Sequence, residues 1–157
     1  MFHHQGGTMT IGHLASAVGR GLFAGVVGTA AMTLSSTLEM KLRDRAGSSA
    51  PADTACKILR VEPVDEAAKA RLSTLVHWGY GTGWGGVRGL LAGVGLGGRS
   101  ATTVHFAAVW GGGLVMLPAL DVAPPASEME ASELAIDALH HLVYAVATGL
   151  AYRALAN

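Results

Sequence analysis

Apolar, uncharged stretches alternate with polar ones four times along the chain. Residues 21–38 carry no charge, and neither do residues 100–120. Residues 72–98 are apolar apart from His77 and one charge, Arg88. Residues 138–152 are uncharged again, although Glu133 and Asp137 precede them. A helix needs roughly 20 apolar residues to cross the hydrocarbon of a bilayer. The pattern therefore predicts an all-α, four-helix transmembrane bundle, with spans over roughly 18–39, 72–96, 100–120 and 132–155 in a single domain covering 1–157.

The polar intervals carry their own signals. Pro51, with serines just before it, predicts the start of a short amphipathic helix, ADTACKIL, in the first loop. Pro63 followed by Asp65 and Glu66 predicts a second start, because acids in a first turn complement the helix dipole. That helix, VDEAAKARL, is expected to run on into the second span. Gly97-Gly98 makes a turn, Pro118 and Pro124-Pro125 end the third helix, and Ser127 is expected to cap the fourth. The opening MFHHQGG is polar and is expected to be disordered. The first apolar run lacks a small-residue cleavage site before a polar mature domain and is expected to be a retained helix rather than a secretory signal.

Composition supports lipid as the solvent. Charged residues make up 14% and hydrophobic ones 50%, with a mean hydropathy of +0.39. A soluble domain of this length would need far more polar residues to cover its surface. The net charge of +0 offers no basic excess for a phosphate backbone, which argues against nucleic acid as a partner. Cys56 is the single cysteine, so neither an internal disulfide nor a cysteine-based zinc cluster can form. The first loop holds Lys41, Arg43, Arg45, Lys57, Arg60, Lys69 and Arg71, against Arg20, Arg99 and Arg153 on the opposite side. By the positive-inside rule the first and third loops are expected to be cytoplasmic and both termini outside.

Helices in lipid associate by close packing. Gly81, Gly85, Gly89, Gly93 and Gly97 recur at every fourth residue and so share a helix face. That face predicts a backbone contact, either with another helix of the chain or, in a homo-oligomer, with a second copy. The first helix offers Gly21, Gly25 and Gly28 for such a contact.

Polar residues fall in stripes at the same spacing. Glu133, Asp137, His140, Tyr144 and Thr148 lie on one face of the fourth helix, bordered by His141. His77, Tyr80, Trp84 and Arg88 do likewise in the second, and Thr29, Thr33, Ser36 and Glu39 in the first. His105 stands in the third, entering from the other side and expected to lie apart from the rest. Ionisable groups within a bilayer face the bundle interior and pair there. Four uses are open: a hydrogen-bonded cluster that locks the helices in register; a metal site of Glu39, His77, Glu133, Asp137 and His140, with Asp137-x-x-His140 as in di-iron carboxylate bundles; a haem held by His77 with His140 or His141; and proton or ion movement along the stripe. A di-iron bundle needs two such motifs and four carboxylates, and one motif is present. No G-x-S-x-G, P-loop or H-E-x-x-H occurs, so nothing points to an enzyme.

The second half of the chain resembles the YagU-like family of bacterial inner-membrane proteins. The resembling residues are His105, LPAL at 117–120, Pro124-Pro125, Ser132-Glu133 and His141-Leu142-Val143, with a looser match in GLFAGVVGTAAMT. The block VHWGYGTGWGGVRGLLAG also looks like a recurrent segment of uncharacterised actinobacterial membrane proteins. Together these resemblances imply a bacterial plasma membrane and an all-helical fold, without a biochemical activity.

Overall fold

The computed structural model describes residues 10–157. The expectation for MFHHQGG falls outside them. Five α-helices make up the described chain, with no strands: α1 (Ile11–Arg43), α2 (Ala50–Leu59), α3 (Glu66–Gly93), α4 (Gly98–Ala119) and α5 (Ala131–Ala156). The side chain of Thr10 caps α1, and that of Asp65 caps α3 by accepting from the Ala68 N–H at 2.6 Å. Pro51 sits in the first turn of α2, where its missing N–H costs nothing. From Glu66 on, VDEAAKARL and the second apolar stretch are one continuous helix, α3, which stops at Gly93. Gly95 and Gly98, at φ +86° and +57°, then make the tight turn into α4.

Two boundaries differ from expectation. Pro118 lies inside the last turn of α4, which runs one residue past it. Ser127 is not the cap of the last helix. It belongs to a single 3-10 turn, Ala126–Glu128, and α5 begins three residues later with Glu130 in the cap position and no side-chain bond. The preceding Pro124-Pro125 pair holds the chain extended there and postpones the helix.

The four long helices form a bundle in which α1 packs on α3 and α5, while α4 packs on α5 and more lightly on α3. α2 lies against α3. The pattern of burial is inverted relative to a water-soluble bundle. Most enclosed positions are small or polar, among them Ala24, Ala101, Ala145, Thr29, Thr148, His105 and Arg88, with Val109, Tyr144 and Tyr152 the larger exceptions. Large apolar side chains point outward, among them Phe23, Leu34, Leu75 and Val115, each more than 70% exposed. An apolar exterior of that extent needs an apolar solvent.

α1, α4 and α5 are each long and apolar enough to cross a membrane. α3, at 28 residues, is long enough but falls short on composition. The reason is visible in its residues. Its interior face is built from glycines, and His77, Tyr80, Trp84 and Arg88 dilute the rest.

The glycine face of α3 is used within the chain. A Cβ at Gly25 would come within 2.8 Å of the Gly85 Cα and 2.9 Å of the Gly81 carbonyl oxygen. A Cβ at Gly89 would meet the Val18 Cα at 2.8 Å. α1 therefore covers Gly81, Gly85 and Gly89, and Leu14 reaches Gly93. The face that could have joined two copies is occupied by the chain's own first helix. Gly97, the last of the series, is past the end of α3 and meets nothing.

Candidate functional site: a cavity at the loop end of the bundle

The two helices that touch at the glycines diverge in character one turn further on. Gly25 gives way to Thr29, Thr33 and Ser36 along α1, and Gly81 gives way to His77 along the antiparallel α3. Thr29 still reaches Gly81. At the next turn the contact is side chain to side chain: the Thr33 hydroxyl and His77 Nε2 are 3.1 Å apart. Thr33 gives its one hydroxyl proton to the Thr29 carbonyl at 2.8 Å, so its oxygen accepts from His77, and Nε2 carries the ring proton. Side chains on both helices hold the backbones apart, and a cavity of about 460 Å³ opens between α1, α3, α4 and α5.

Its wall combines apolar residues with titratable ones. Met32, Val109, Met116 and Leu117 supply the first kind, and His77, Asp137, His140 and His141 the second. Trp78, Tyr80 and Tyr144 line it as well. The floor is closed by Tyr144, 2% exposed, whose hydroxyl donates to the Gly81 carbonyl at 2.6 Å. The rim is formed by α2, through Ala50, Pro51 and Thr54, and by Arg45. α2 is held there by an ion pair of Asp53 with Lys69 of α3 at 2.8 Å, and Ser49 donates to the same carboxylate at 2.6 Å. Lys69 and Ser49 hold the Asp53 carboxyl below its ordinary range, and Asp53 raises Lys69 in turn.

The sequence-predicted site residues divide into three groups. His77, Tyr80, Asp137, His140, His141 and Tyr144 line the cavity. Glu39 and Glu133 are committed elsewhere. Arg43 bridges the two, and Arg45 binds Glu39 a second time, with Nε at 2.8 Å. Arg88 and His105 lie beyond the cavity, in the closely packed half of the bundle, 1% and 0% exposed. His105 donates from Nε2 to the Trp84 carbonyl at 2.9 Å and stacks at an angle on Tyr144, 5.5 Å between ring centres.

The interior groups pair with one another by hydrogen bonds rather than as a coordination shell. Asp137 accepts from the Trp110 indole at 3.0 Å, and its carbonyl accepts from His141 Nδ1 at 2.9 Å. His140 Nδ1 bonds the Ser35 hydroxyl at 2.8 Å. Among the described residues, no three His, Cys, Asp or Glu side chains gather as a group that could hold a metal ion. The five residues Glu39, His77, Glu133, Asp137 and His140 thus do not converge, because Arg43 and Arg45 draw the two glutamates to the rim.

One polar atom in this group has no protein partner. His140 Nε2 is enclosed and makes no hydrogen bond, with the nearest Glu39 oxygen at 3.8 Å. Ser35, its neighbour's partner, was not legible as a site residue. It lies one position off the Thr29–Thr33–Ser36 stripe, and only the crossing of α5 over α1 brings it to His140. The chain matches no family model, no curated protein and no solved structure.

Proposed function

We propose that this chain is a multi-pass protein of the bacterial plasma membrane that binds a small amphipathic molecule in the cavity between its helices. α3 is the fourth span in this reading, screened from lipid on its glycine face by α1. The first and third loops are cytoplasmic and both termini outside, on the count of lysines and arginines. The likeness to the YagU-like family supports the same membrane.

The single observation that carries the binding reading is the cavity itself. At about 460 Å³ it is in the range of small-molecule sites, mostly apolar, with a few polar groups aimed inward. His140 Nε2, enclosed and unpartnered, supplies a hydrogen-bonding handle for the ligand's polar end. Binding is favoured over conduction because the open space ends at Tyr144. Beyond it α1 and α3 meet backbone to backbone, and the polar side chains there, Thr148, His105 and Arg88, are enclosed rather than lining the cavity. A haem between His77 and His140 is less well supported, since His77 Nε2 is engaged by Thr33.

Gly113 gives the test, because it lines the cavity and a Cβ there meets nothing within 4 Å. Gly113→Phe fills the space from an open wall. In a thermal-shift screen of the detergent-purified protein against amphipathic compounds, some are expected to stabilise the wild type and to lose that effect in the variant. A panel in which no compound distinguishes the two proteins would reject the reading.

A further inference from the structure

The far end of the bundle has a different chemistry. All eleven Asp and Glu residues lie between Glu39 and Asp137. None therefore belongs to the beginning of α1, the end of α3, the beginning of α4 or the end of α5. Four arginines do: Arg20, Arg88, Arg99 and Arg153. Arg99 and Arg153 are exposed. Arg88 is 1% exposed, and its Nε and Nη1 are enclosed with no hydrogen-bond partner. Its guanidinium lies over the ring of Tyr152, with Cζ 4.6 Å from the ring centre. Arg20, half-buried on α1, approaches the same ring at 6.0 Å, and its Nε is likewise enclosed and unpartnered.

A guanidinium cannot shed its proton to escape burial. The face of Tyr152 attracts the cation, yet it leaves N–H groups that point along the guanidinium plane without acceptors. Two such cations on one ring also repel each other, with no acidic side chain at this end to offset them. An enclosed, unpaired charge is among the costliest groups a fold can hold. An oxyanion offsets that charge, and its oxygens accept from the N–H groups that the ring leaves unpaired.

We propose that Arg20 and Arg88, gathered on Tyr152, form a binding site for a phosphate oxyanion, carried either by the headgroup of an anionic lipid or by free inorganic phosphate. Arg88 stands five residues before Gly93, about 8 Å from the end of α3 at 1.5 Å per residue. Tyr152 stands at a similar depth, four residues before Ala156. In a spanning bundle that is the level at which lipid phosphates meet the acyl chains. The half-exposed Arg20 is the side from which the anion enters. This site is independent of the cavity, which lies beyond Tyr144 at the other end.

The test uses the full chain in a neutral detergent, stripped of bound lipid, with melting followed on addition of phosphatidylglycerol, zwitterionic phosphatidylcholine or inorganic phosphate. Phosphatidylglycerol is expected to raise the melting temperature where phosphatidylcholine, whose phosphate is offset by its own cation, does not, identifying the headgroup of an anionic lipid. An equal rise with inorganic phosphate alone identifies the free anion. Arg20→Gln and Arg88→Gln are each expected to weaken the effective affinity by about tenfold or more, the loss of one charge-assisted pair. Arg153→Gln, an exposed arginine at the same end, is expected to keep the response. Should Arg88→Gln fail to fold, Arg20→Gln carries the test, because Arg20 is only half-buried. The proposal is overturned if neither phosphatidylglycerol nor phosphate shifts the wild type, or if Arg153→Gln loses as much as Arg20→Gln.

Discussion

α1 and α3 run antiparallel beside each other, and the two halves of their contact have opposite characters. From Ala17 to Gly25 on α1 and from Gly89 to Gly81 on α3, the backbones touch with no side chain between them. From Thr33 and His77 onward, each helix presents a polar side chain to the other, and space opens. The same two helices and the same repeat of four produce a dry seam at one end and a cavity at the other. The variable that differs is side-chain length along a single stripe: glycine, then threonine, then histidine. Closeness in lipid comes from shape alone, since water provides no drive there. A stripe graded in size therefore makes a wedge.

The largest test of that contrast is to make one chemical change in both halves. Gly85→Ala places a Cβ 2.6 Å from the Gly25 nitrogen, where only backbone could yield. It is expected to cost about 2–3 kcal/mol, the range for overpacking a closed contact. Gly113→Ala on the cavity wall meets nothing and is expected to be neutral or stabilising by up to about 1 kcal/mol through helix propensity. Reversible unfolding of the two variants in mixed micelles measures both, and equal losses would show that the seam and the wall are alike in tightness.

Next in size is the first bond of the open half. Thr33→Val keeps the shape of the side chain but removes the acceptor for His77 Nε2 and is expected to destabilise by about 1–2 kcal/mol. The same substitution at Thr37, which lines the cavity without a side-chain bond, is expected to change stability by less than about 0.5 kcal/mol. Unfolding midpoints of the two variants would decide whether the hydrogen bond, rather than the mere presence of threonine, holds the rim of the wedge.

The smallest effect concerns the cover over the cavity. Asp53 has its carboxyl held low by Lys69 and Ser49 in the folded protein. Its contribution is fully present above the ordinary carboxylate pKa of about 3.9 and is lost as pH falls through the lower folded value. Amide exchange in α2 is expected to be faster in Asp53→Asn than in the wild type near neutral pH. That difference should shrink as the pH falls below about 3.9 and vanish once it has passed the lower folded value, where the wild-type carboxylate is protonated as well. A difference that persisted undiminished into acid would mean that the ion pair does not dock α2.

Much of the seam was legible in advance, and little of the cavity was. Gly81, Gly85 and Gly89 are spaced by four and announce close backbone approach, although the spacing alone left open whether the partner is another helix of the chain or a second copy. The stripes of Thr29 and Thr33, of His77 and Tyr80, and of Asp137, His140 and Tyr144 marked the faces that line the cavity. What they could not reveal was the space between them, since a void is a property of four helices together and of none singly. The glutamates show the limit in another way. Glu39 and Glu133 share the periodicity of the site residues, but Arg43 and Arg45, close to Glu39 along the chain, captured it, and Arg43 also took Glu133 from across the bundle. Arg88 was visible as a lone charge in an apolar stretch. Its lack of a partner was not, because an absence has no signature in sequence; Arg20 entered only the count of charges, and nothing in the sequence singled out Tyr152.

The seam also imposes an order of events during synthesis. Gly21 and Gly25 meet residues more than fifty positions later in the chain. At about 5–20 residues per second, the first helix must wait several seconds or longer for its partner to be made. Throughout that interval its bare backbone face is open to whatever surrounds it. α1 is thus made well before the helix that its glycines require.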